Sequence, residues 1–414
     1  MKGCMKGYLS HKDLKLKALN IIRNTGPSTK QAIAGKLGIN ITTITSLVNK
    51  LFKEYKILVV SGIDDSTGGR KPKLYQINKE FGYVIGLDIG GKNIRVIITD
   101  ILGNIISSLG NKTNSEKSKE EIIRKILSMM NSLIIKSKIP KEKILGIGMS
   151  ISGIIDTESG YSIFCPNIEE FKDFPVKKII EEKTKVQVFI DDSVRCMAIA
   201  EKRYGSAKSY SNFIFVSLGR GIGAGIFIDG KIYRGSIGLA GELGHITVSE
   251  NGPICNCGNR GCLEAIASSD GIIRRAREGM GKGIVTSISS AINGNFDDLS
   301  VKIIAKAAEE GDKFAYYIIN RTGEYIGIAI ASALNLFGSD LIVLGGGVSK
   351  CGDILLSAIK RTVKTRALNV ISKKVTIIKT QLDDNIAALG AATNLIDMLF
   401  DNCYEQNILK RSSK

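Results

Sequence analysis

The sequence predicts an α/β body of paired lobes behind an N-terminal winged helix-turn-helix. Three observations lead there. The first fifth of the chain is strongly basic and helical in its apolar spacing. From Tyr83 the pattern changes to apolar strands broken by glycine corners, and that unit recurs. At 414 residues with 43% hydrophobic content, the chain exceeds what one core serves, so two or three domains are expected.

Of the formal net charge of +18, residues 1–79 carry +11, from 15 lysines and arginines against four acids. A basic fifth beside a near-neutral remainder points to a polyanion partner. The alternative is a Lys-rich composition acting everywhere. No run of about 18 uncharged apolar residues occurs, and the longest candidate, Tyr325 to Ser339, is interrupted by polar side chains, so no membrane span is expected. The lysine-studded start lacks an apolar leader region, which predicts a cytoplasmic protein. Among eight cysteines, Cys4, Cys165, Cys196, Cys351 and Cys403 have no spacing and read as ordinary small residues rather than a disulfide framework.

Residues 1–79 form the first expected domain. Leu14, Ala18, Leu19 and Ile22 recur at helical spacing from His11 and stop at Asn24-Thr25-Gly26-Pro27. Ser28 can cap a second helix, Thr29 to Leu37, and Gly38 supplies the tight turn before a third helix starting near Asn40 to Thr42. Ala34, Gly38, Ile44 and Leu47 fall where a helix-turn-helix needs a small contact residue, a turn and two core apolars. The third helix offers Asn40, Thr42, Thr43, Thr45, Ser46, Asn49 and Lys50 outward, short groups suited to base edges and phosphates. With Thr29 at the start of the second helix, these are the candidate contacts to double-stranded operator DNA. Strands Ile57 to Ser61 and Leu74 to Ile77 flank a basic tip, a wing that can set Arg70 and Lys71 on phosphates or in a minor groove. A helical protein-interaction module of similar shape is the alternative.

Residues 80–414 form the remainder, expected as lobes 80–193 and 194–414 with the final helix returning to the first. Strands Tyr83 to Asp88 and Ile94 to Thr99 flank Gly90-Gly91; strands Phe213 to Leu218 and Ile226 to Asp229 flank the run Gly219 to Gly225, so the hairpins look like an internal repeat. A third run, Gly345-Gly346-Gly347, follows strand Leu341 to Leu344 and the apolar helix Thr322 to Leu336. Glycine corners let backbone N–H groups approach phosphate, though each taken alone is as often a plain turn. Together they describe lobes closing on a ligand.

Gly241-Glu242-Leu243-Gly244-His245 is followed by Cys255-Asn256-Cys257 and Cys262-Leu263-Glu264. One of only two histidines in the chain thus sits beside the only cysteine cluster. Three thiols and an imidazole suit a tetrahedral, structural Zn2+ with no open position for water: His245, Cys255, Cys257 and Cys262. Glu242, Glu264, Asp191 and Asp192 can converge on one cleft, an acceptor set matched to a polyhydroxylated ligand; solvated surface charge is the alternative.

These motifs resemble the ROK family, which joins sugar-responsive repressors with bacterial sugar kinases. The carriers are Asp88-Ile89-Gly90-Gly91, Leu218-Gly219 with Gly221-Ile222-Gly223, Gly241-Glu242 with Gly244-His245, the cysteine knot with Glu264, and Gly345-Gly346-Gly347. The resemblance implies an actin-like, hexokinase-like two-lobe ATPase-type fold, with a sugar held by Asp192, Glu242, His245 and Glu264, and His245 shared between metal and sugar. Family kinases carry threonines at the phosphate corners, where this chain has Lys92 and Arg220, so no enzyme activity is expected. In a kinase Asp192 would be the catalytic base, and the residue before it is usually Asn rather than Asp191. With the winged module, the resemblance implies the repressor branch, similar to xylose repressors, with xylose or a glucose-like sugar as effector and a homodimer or homotetramer as the assembly. A sugar kinase carrying a DNA-binding module is the alternative.

Overall fold

The computed structural model describes residues 11–64, 71–113, 118–165, 168–401 and 408. Three helices come first, α1 (His11–Thr25), α2 (Lys30–Leu37) and α3 (Ile41–Lys53), then the antiparallel hairpin β1 (Leu58–Ile63) and β2 (Lys73–Ile77). The expected apolar face of α1 is buried at Leu14, Ala18, Leu19 and Ile22. The cap of α2 differs from expectation. Thr29, not Ser28, accepts the Ala32 N–H at 3.1 Å, because Ser28 is drawn into an antiparallel bridge with Tyr75. Gly38 ends α2 at φ +65, and Asn40 caps α3 by accepting the Thr42 N–H at 2.8 Å.

Next come β3 (Tyr83–Ile89), β4 (Asn93–Asp100), β5 (Ile105–Lys112), α4 (Lys119–Ser137), β6 (Ile144–Ile151), the short hairpin β7 (Ile154–Asp156) and β8 (Tyr161–Phe164), α5 (Val176–Thr184) and β9 (Val188–Asp192). After α6 (Ser193–Tyr204) follow β10 (Phe213–Leu218), β11 (Ile222–Ile228), β12 (Lys231–Ile232), α7 (Leu263–Ala267), α8 (Ser269–Gly281), α9 (Ser287–Ala291), α10 (Val301–Glu309) and α11 (Lys313–Phe337). The chain continues through β13 (Leu341–Gly345), α12 (Gly352–Arg366), α13 (Asn369–Ser372), β14 (Thr376–Lys379) and α14 (Ile386–Leu399). No helix among the described residues is long and apolar enough to cross a membrane.

Two five-stranded sheets carry the body, in the orders β5-β4-β3-β6-β9 and β12-β11-β10-β13-β14. Each therefore has its first strand in the middle, a meander on one side and two added strands on the other. The two glycine hairpins occupy equivalent places in this repeat.

The described residues fall into two compact units. One gathers those of Met1–Ser150, Pro175–Ile190 and Ala391–Lys414; the other holds Ile151–Phe174 and Asp191–Gly390. The division departs from the expected boundaries at 79/80 and 193/194. In the first unit one core joins Leu19, Ile33, Ile44 and Leu51 of the three-helix module to Val84, Leu145, and Leu395 and Leu399 of α14. Arg23 reinforces it, reaching Asp397 at 2.6 Å with its guanidinium 4.8 Å from the Phe400 ring centroid. The second unit's core runs from Ile214 through Ile330 to Ile377.

Glycine permits the closest packing. A Cβ on Gly390 of α14 would stand 1.7 Å from the Cys196 carbonyl oxygen of α6, whereas a Cβ on Gly35 of α2 would meet nothing within 4 Å. Gly390→Ala is therefore expected to lower the thermal midpoint by several degrees, the outcome of overpacking at roughly 1–3 kcal/mol. Gly35→Ala should raise it slightly through helix propensity, by about 1 kcal/mol or less. Thermal unfolding of the two variants side by side checks both signs.

Candidate functional site

The strand β9 ends in two acids with different fates. Asp192 caps α6, one carboxylate oxygen accepting the N–H groups of Val194 at 2.9 Å and Arg195 at 3.1 Å. Burial pushes its carboxyl up to about 6, against the pull of Arg195 and with a smaller push from Asp191. Asp191 is buried and accepts Arg195 Nε at 2.7 Å, Arg234 Nη1 at 3.0 Å and Arg234 Nη2 at 2.5 Å. Burial raises its carboxyl too, but the two guanidinium groups outweigh burial and hold it below the ordinary range. Asp191 is thus corrected from a sugar-facing acceptor to the centre of an ion-pair clamp, because its oxygens are already occupied.

After β12 the chain turns at Leu243–His245 and then folds into the cysteine loop. His245 Nδ1 lies 3.7 Å from Cys255 Sγ, Cys257 Sγ lies 3.7 Å from Cys262 Sγ, and all four donor atoms lie within 4.8 Å of one another. A tetrahedral ion with sulfur bonds of about 2.3 Å sets donors about 3.8 Å apart. The separations fit donors that could hold a metal ion, and far exceed the ~2.05 Å of a disulfide. The backbone shapes the loop around these donors. Cys255 N donates to Asn259 O at 2.7 Å, Val248 N to Gly261 O at 2.9 Å, and Leu263 N to Ile246 O at 2.9 Å.

The same fold sets the remaining acids. His245 Nε2 lies 3.8 Å from Glu242 Oε2, on the ring side opposite the thiols. Glu264, in the first turn of α7, accepts the Ile222 N–H at 2.8 Å, at the start of β11. Arg195 links the groups electrostatically, since it pulls down the carboxyls of both Asp192 and Glu242. Burial nonetheless leaves Glu242 above its ordinary value. Asp192, Glu242, His245 and Glu264 therefore share one neighbourhood within the second unit, an array rich in hydroxyl acceptors.

Arg195 and Arg234 escaped the sequence reading. The Asp191–Arg195 spacing of four residues was a readable helix-pair signal, whereas Arg234 reaches Asp191 from 43 positions away.

The glycine corners are tightly built. Gly90 N donates to Asn93 O at 3.0 Å, and Thr113 closes the corner through its hydroxyl to Gly90 O at 2.7 Å and its N–H to Lys92 O at 2.8 Å. The Lys92 side chain is exposed. Arg220 is also exposed and pairs with Asp270 at 3.3 Å. In the third run a Cβ would stand 2.4 Å from the Phe215 ring at Gly345 and 2.4 Å from Leu218 O at Gly346, so packing on β10 accounts for these two glycines. Asp88, beside the first corner, is buried, accepts the Ser150 hydroxyl at 2.9 Å, and lies 3.8 Å from Arg95.

On α3, Ile44, Leu47, Val48 and Leu51 are buried, leaving Thr42, Ser46 and Lys50 exposed and Thr43, Thr45 and Asn49 half-buried. Asn40 is exposed; Asn49 accepts Lys30 Nζ at 2.8 Å, bracing α2 on α3. Thr29 is corrected: it is buried, and its hydroxyl is engaged as the α2 cap. Lys71 is exposed, and Arg70 lies outside the described residues.

A family model described as ROK family matches residues 84–397. The chain is 31% identical over 386 residues to the xylose repressor of Caldicellulosiruptor bescii, covering 93% of this chain and 96% of that one. It is 30% identical over 310 residues to the glucokinase of Thermotoga maritima, which spans 75% of this chain and 96% of its own length. Among solved structures, a ROK family transcriptional regulator homologous to the Mlc protein of Escherichia coli superposes with a TM-score of 0.83 at 23% identity, over 97% of this chain and 98% of that one, a likeness of fold.

Burial raises Asp88 from 3.8 to about 6, so the folded state favours its protonated form. That contribution to stability is fully present below the ordinary carboxylate pKa and is lost as pH rises through about 6. Asp88→Asn should flatten this part of the stability profile, removing up to about 3 kcal/mol of variation while leaving the similar share of Asp192. Denaturant unfolding of both proteins from pH 4 to 7.5 measures it.

Proposed function

The chain belongs to the ROK family, and from that premise we propose that it is a sugar-responsive transcriptional repressor of carbohydrate-utilisation genes. The observation that carries the reading is the joining, in one chain, of a three-helix module with a polar exposed α3 to a cluster of hydroxyl acceptors at Asp192, Glu242, His245 and Glu264. The named relatives that span the whole chain, such as the C. bescii xylose repressor, support it.

In this reading Asn40, Thr42, Thr43, Thr45, Ser46, Asn49 and Lys50 contact operator DNA, with Lys71 and Arg70 on phosphates. Two copies of the module on a pseudo-palindrome, from a homodimer or homotetramer, give the half-site geometry. The effector is a neutral sugar. Arg195 and Arg234 balance Asp191 and Asp192, leaving Glu242 and Glu264 to repel phosphates and sugar acids. Xylose is the sugar we propose. The metal is Zn2+, held by three thiolates and His245 Nδ1, which fills a tetrahedral sphere and makes its role structural. It would fix the imidazole so that Nε2 faces the sugar side of the ring.

A kinase reading draws on the Thermotoga glucokinase relative and on Asp192, whose carboxyl near 6 suits a general base. The exposed cations Lys92 and Arg220 stand against it, since they replace compact hydroxyls at the phosphate corners.

Operator binding by the full chain is expected to weaken about tenfold or more with saturating xylose, a coupling of ordinary allosteric size. Glu264→Ala should lose the response and keep operator affinity without sugar. Operator affinity unmoved by any sugar of a pentose and hexose panel sinks the repressor reading. Sugar-dependent ADP release that disappears in Asp192→Asn replaces it with the kinase.

Metal analysis of purified protein should find about one Zn2+ per chain. Cys257→Ser, at the exposed ligand, should lose most of it, lower the thermal midpoint and blunt the xylose response. Full zinc retention in that variant would show that Cys257 is no ligand.

A further inference from the structure

The Asp191 carboxylate is buried and committed to protein donors. Its two oxygens accept Asp192 N at 2.8 Å, Arg195 Nε at 2.7 Å and both terminal nitrogens of Arg234, at 3.0 and 2.5 Å. Three of these donors meet Oδ1 and Arg234 Nη2 meets Oδ2, so protein groups hold both oxygens. The Asp191 and Arg195 side chains are 2% and 4% exposed, so this is a buried ion pair; Arg234, at 36%, closes it from the rim.

The clamp holds a particular stretch of chain. Residues 234–241 read Arg-Gly-Ser-Ile-Gly-Leu-Ala-Gly, with Gly235, Gly238 and Gly241 at φ +71, +75 and +104. The ends are tied to β11, by Tyr233 N to Ile226 O and Ala224 N to Gly241 O, both at 2.7 Å. Between the ends, Arg195 Nη1 donates to Gly238 O at 2.9 Å, and the loop closes on itself from Ala240 N to Arg234 O at 3.1 Å. Ile237 at its tip is 79% exposed, so apolar burial contributes little to holding it. Glu242 follows directly, and His245 three residues later.

We propose that Asp191 is a positioning residue: through Arg195 and Arg234 it pins the 234–241 loop, and so sets the place of Glu242 and the choice of sugar, without touching the sugar itself. The part concerning sugar rests on the effector reading above; the pinning of the loop does not. Three glycines with left-handed backbones leave the loop many alternative conformations. Asp191 ties it at two points from one buried charge, so removing that charge releases both arms together.

The test is hydrogen exchange by mass spectrometry on the full-length protein without sugar, paired with xylose and glucose titrations. In Asp191→Asn the amides of 235–241 are expected to exchange about tenfold faster or more, as charge-assisted hydrogen bonds are lost. Arg234→Met, a rim change that leaves Asp191 and Arg195 paired, should speed the loop in the same direction and serves if Asp191→Asn does not fold. Both variants should weaken xylose binding about tenfold and bring the xylose and glucose affinities closer together. The double variant should be no worse than Asp191→Asn alone, the mark of one shared unit. Loop exchange unchanged in Arg234→Met and in any folded Asp191→Asn overturns the clamp. Faster exchange with unchanged sugar selectivity overturns the positioning role. Weaker xylose binding in Asp191→Asn with an unmoved loop and an unaffected Arg234→Met makes Asp191 a direct contact instead. Should wild-type protein bind neither sugar, the effector reading fails, and the exchange arm still decides whether Asp191 pins the loop.

Discussion

Four donor atoms within 4.8 Å of one another, from His245, Cys255, Cys257 and Cys262, constrain everything around the second unit's polar site. Between His245 and Cys262 the chain packs Ile246 and Val248 on the second unit's core, while Cys257 is exposed. Local backbone bonds such as Cys255 N to Asn259 O shape the rest of the loop. The consequence reaches both ends of the segment. On one side His245 is turned so that its second nitrogen faces Glu242; on the other, Leu263 is bonded to Ile246, which starts α7 where Glu264 can accept the Ile222 N–H. The loop thereby sets Glu242 beside His245 and Glu264 on the start of β11.

A second constraint is the path of the last helix. α14 begins in the unit that contains the polar site and finishes in the other. Its start lies so close to α6 that Gly390 has no room for a Cβ over Cys196, and α6 is the helix that Asp192 caps. Its end lies in the same core as the three-helix module, with Asp397 on Arg23 and Asn20 donating to Phe400 O at 3.0 Å. Within the first unit a Cβ on Gly148 would reach 2.0 Å from Ala391 O, so the helix is seated by backbone contact there too. Contacts of this kind are rigid, because backbone atoms cannot rotate out of the way as side chains do.

What the sequence disclosed and what it hid follow the same physical line. Periodicity and turn chemistry are local, so α1, the start of α3, the Gly38 turn and the first glycine hairpin were legible at nearly their observed bounds, whereas in the second hairpin residues 222–225, read as part of the glycine corner, already pair with β10 as strand β11. The cap of α2 was misread by one residue, since the bridge that claims Ser28 comes from Tyr75, far along the chain. Asp191 was misread for the same reason. Beside Asp192 it looks like a second open acid, and Arg195 together with Arg234, 43 residues away, makes it a closed one. The separation between a domain at 1–79 and its neighbour looked clear from charge, yet the shared core with α14 depends on contacts nearly 380 residues apart, such as Arg23 with Asp397.

The glycine corners show why a motif must be weighed by what surrounds it. All three look alike in sequence. In the structure, Gly345 and Gly346 are required by Phe215 and Leu218, whatever else binds nearby. At Gly219 no such crowding exists, since a Cβ would meet only Gly221 O at 3.6 Å, while at Gly90 it would press on the Asn93 carbonyl oxygen at 3.2 Å. Beside them in sequence stand Lys92 and Arg220, both exposed, the latter tied to Asp270. The acids of the polar site, by contrast, are bound into the fold by backbone bonds at Asp192 and Glu264 and by His245 at Glu242.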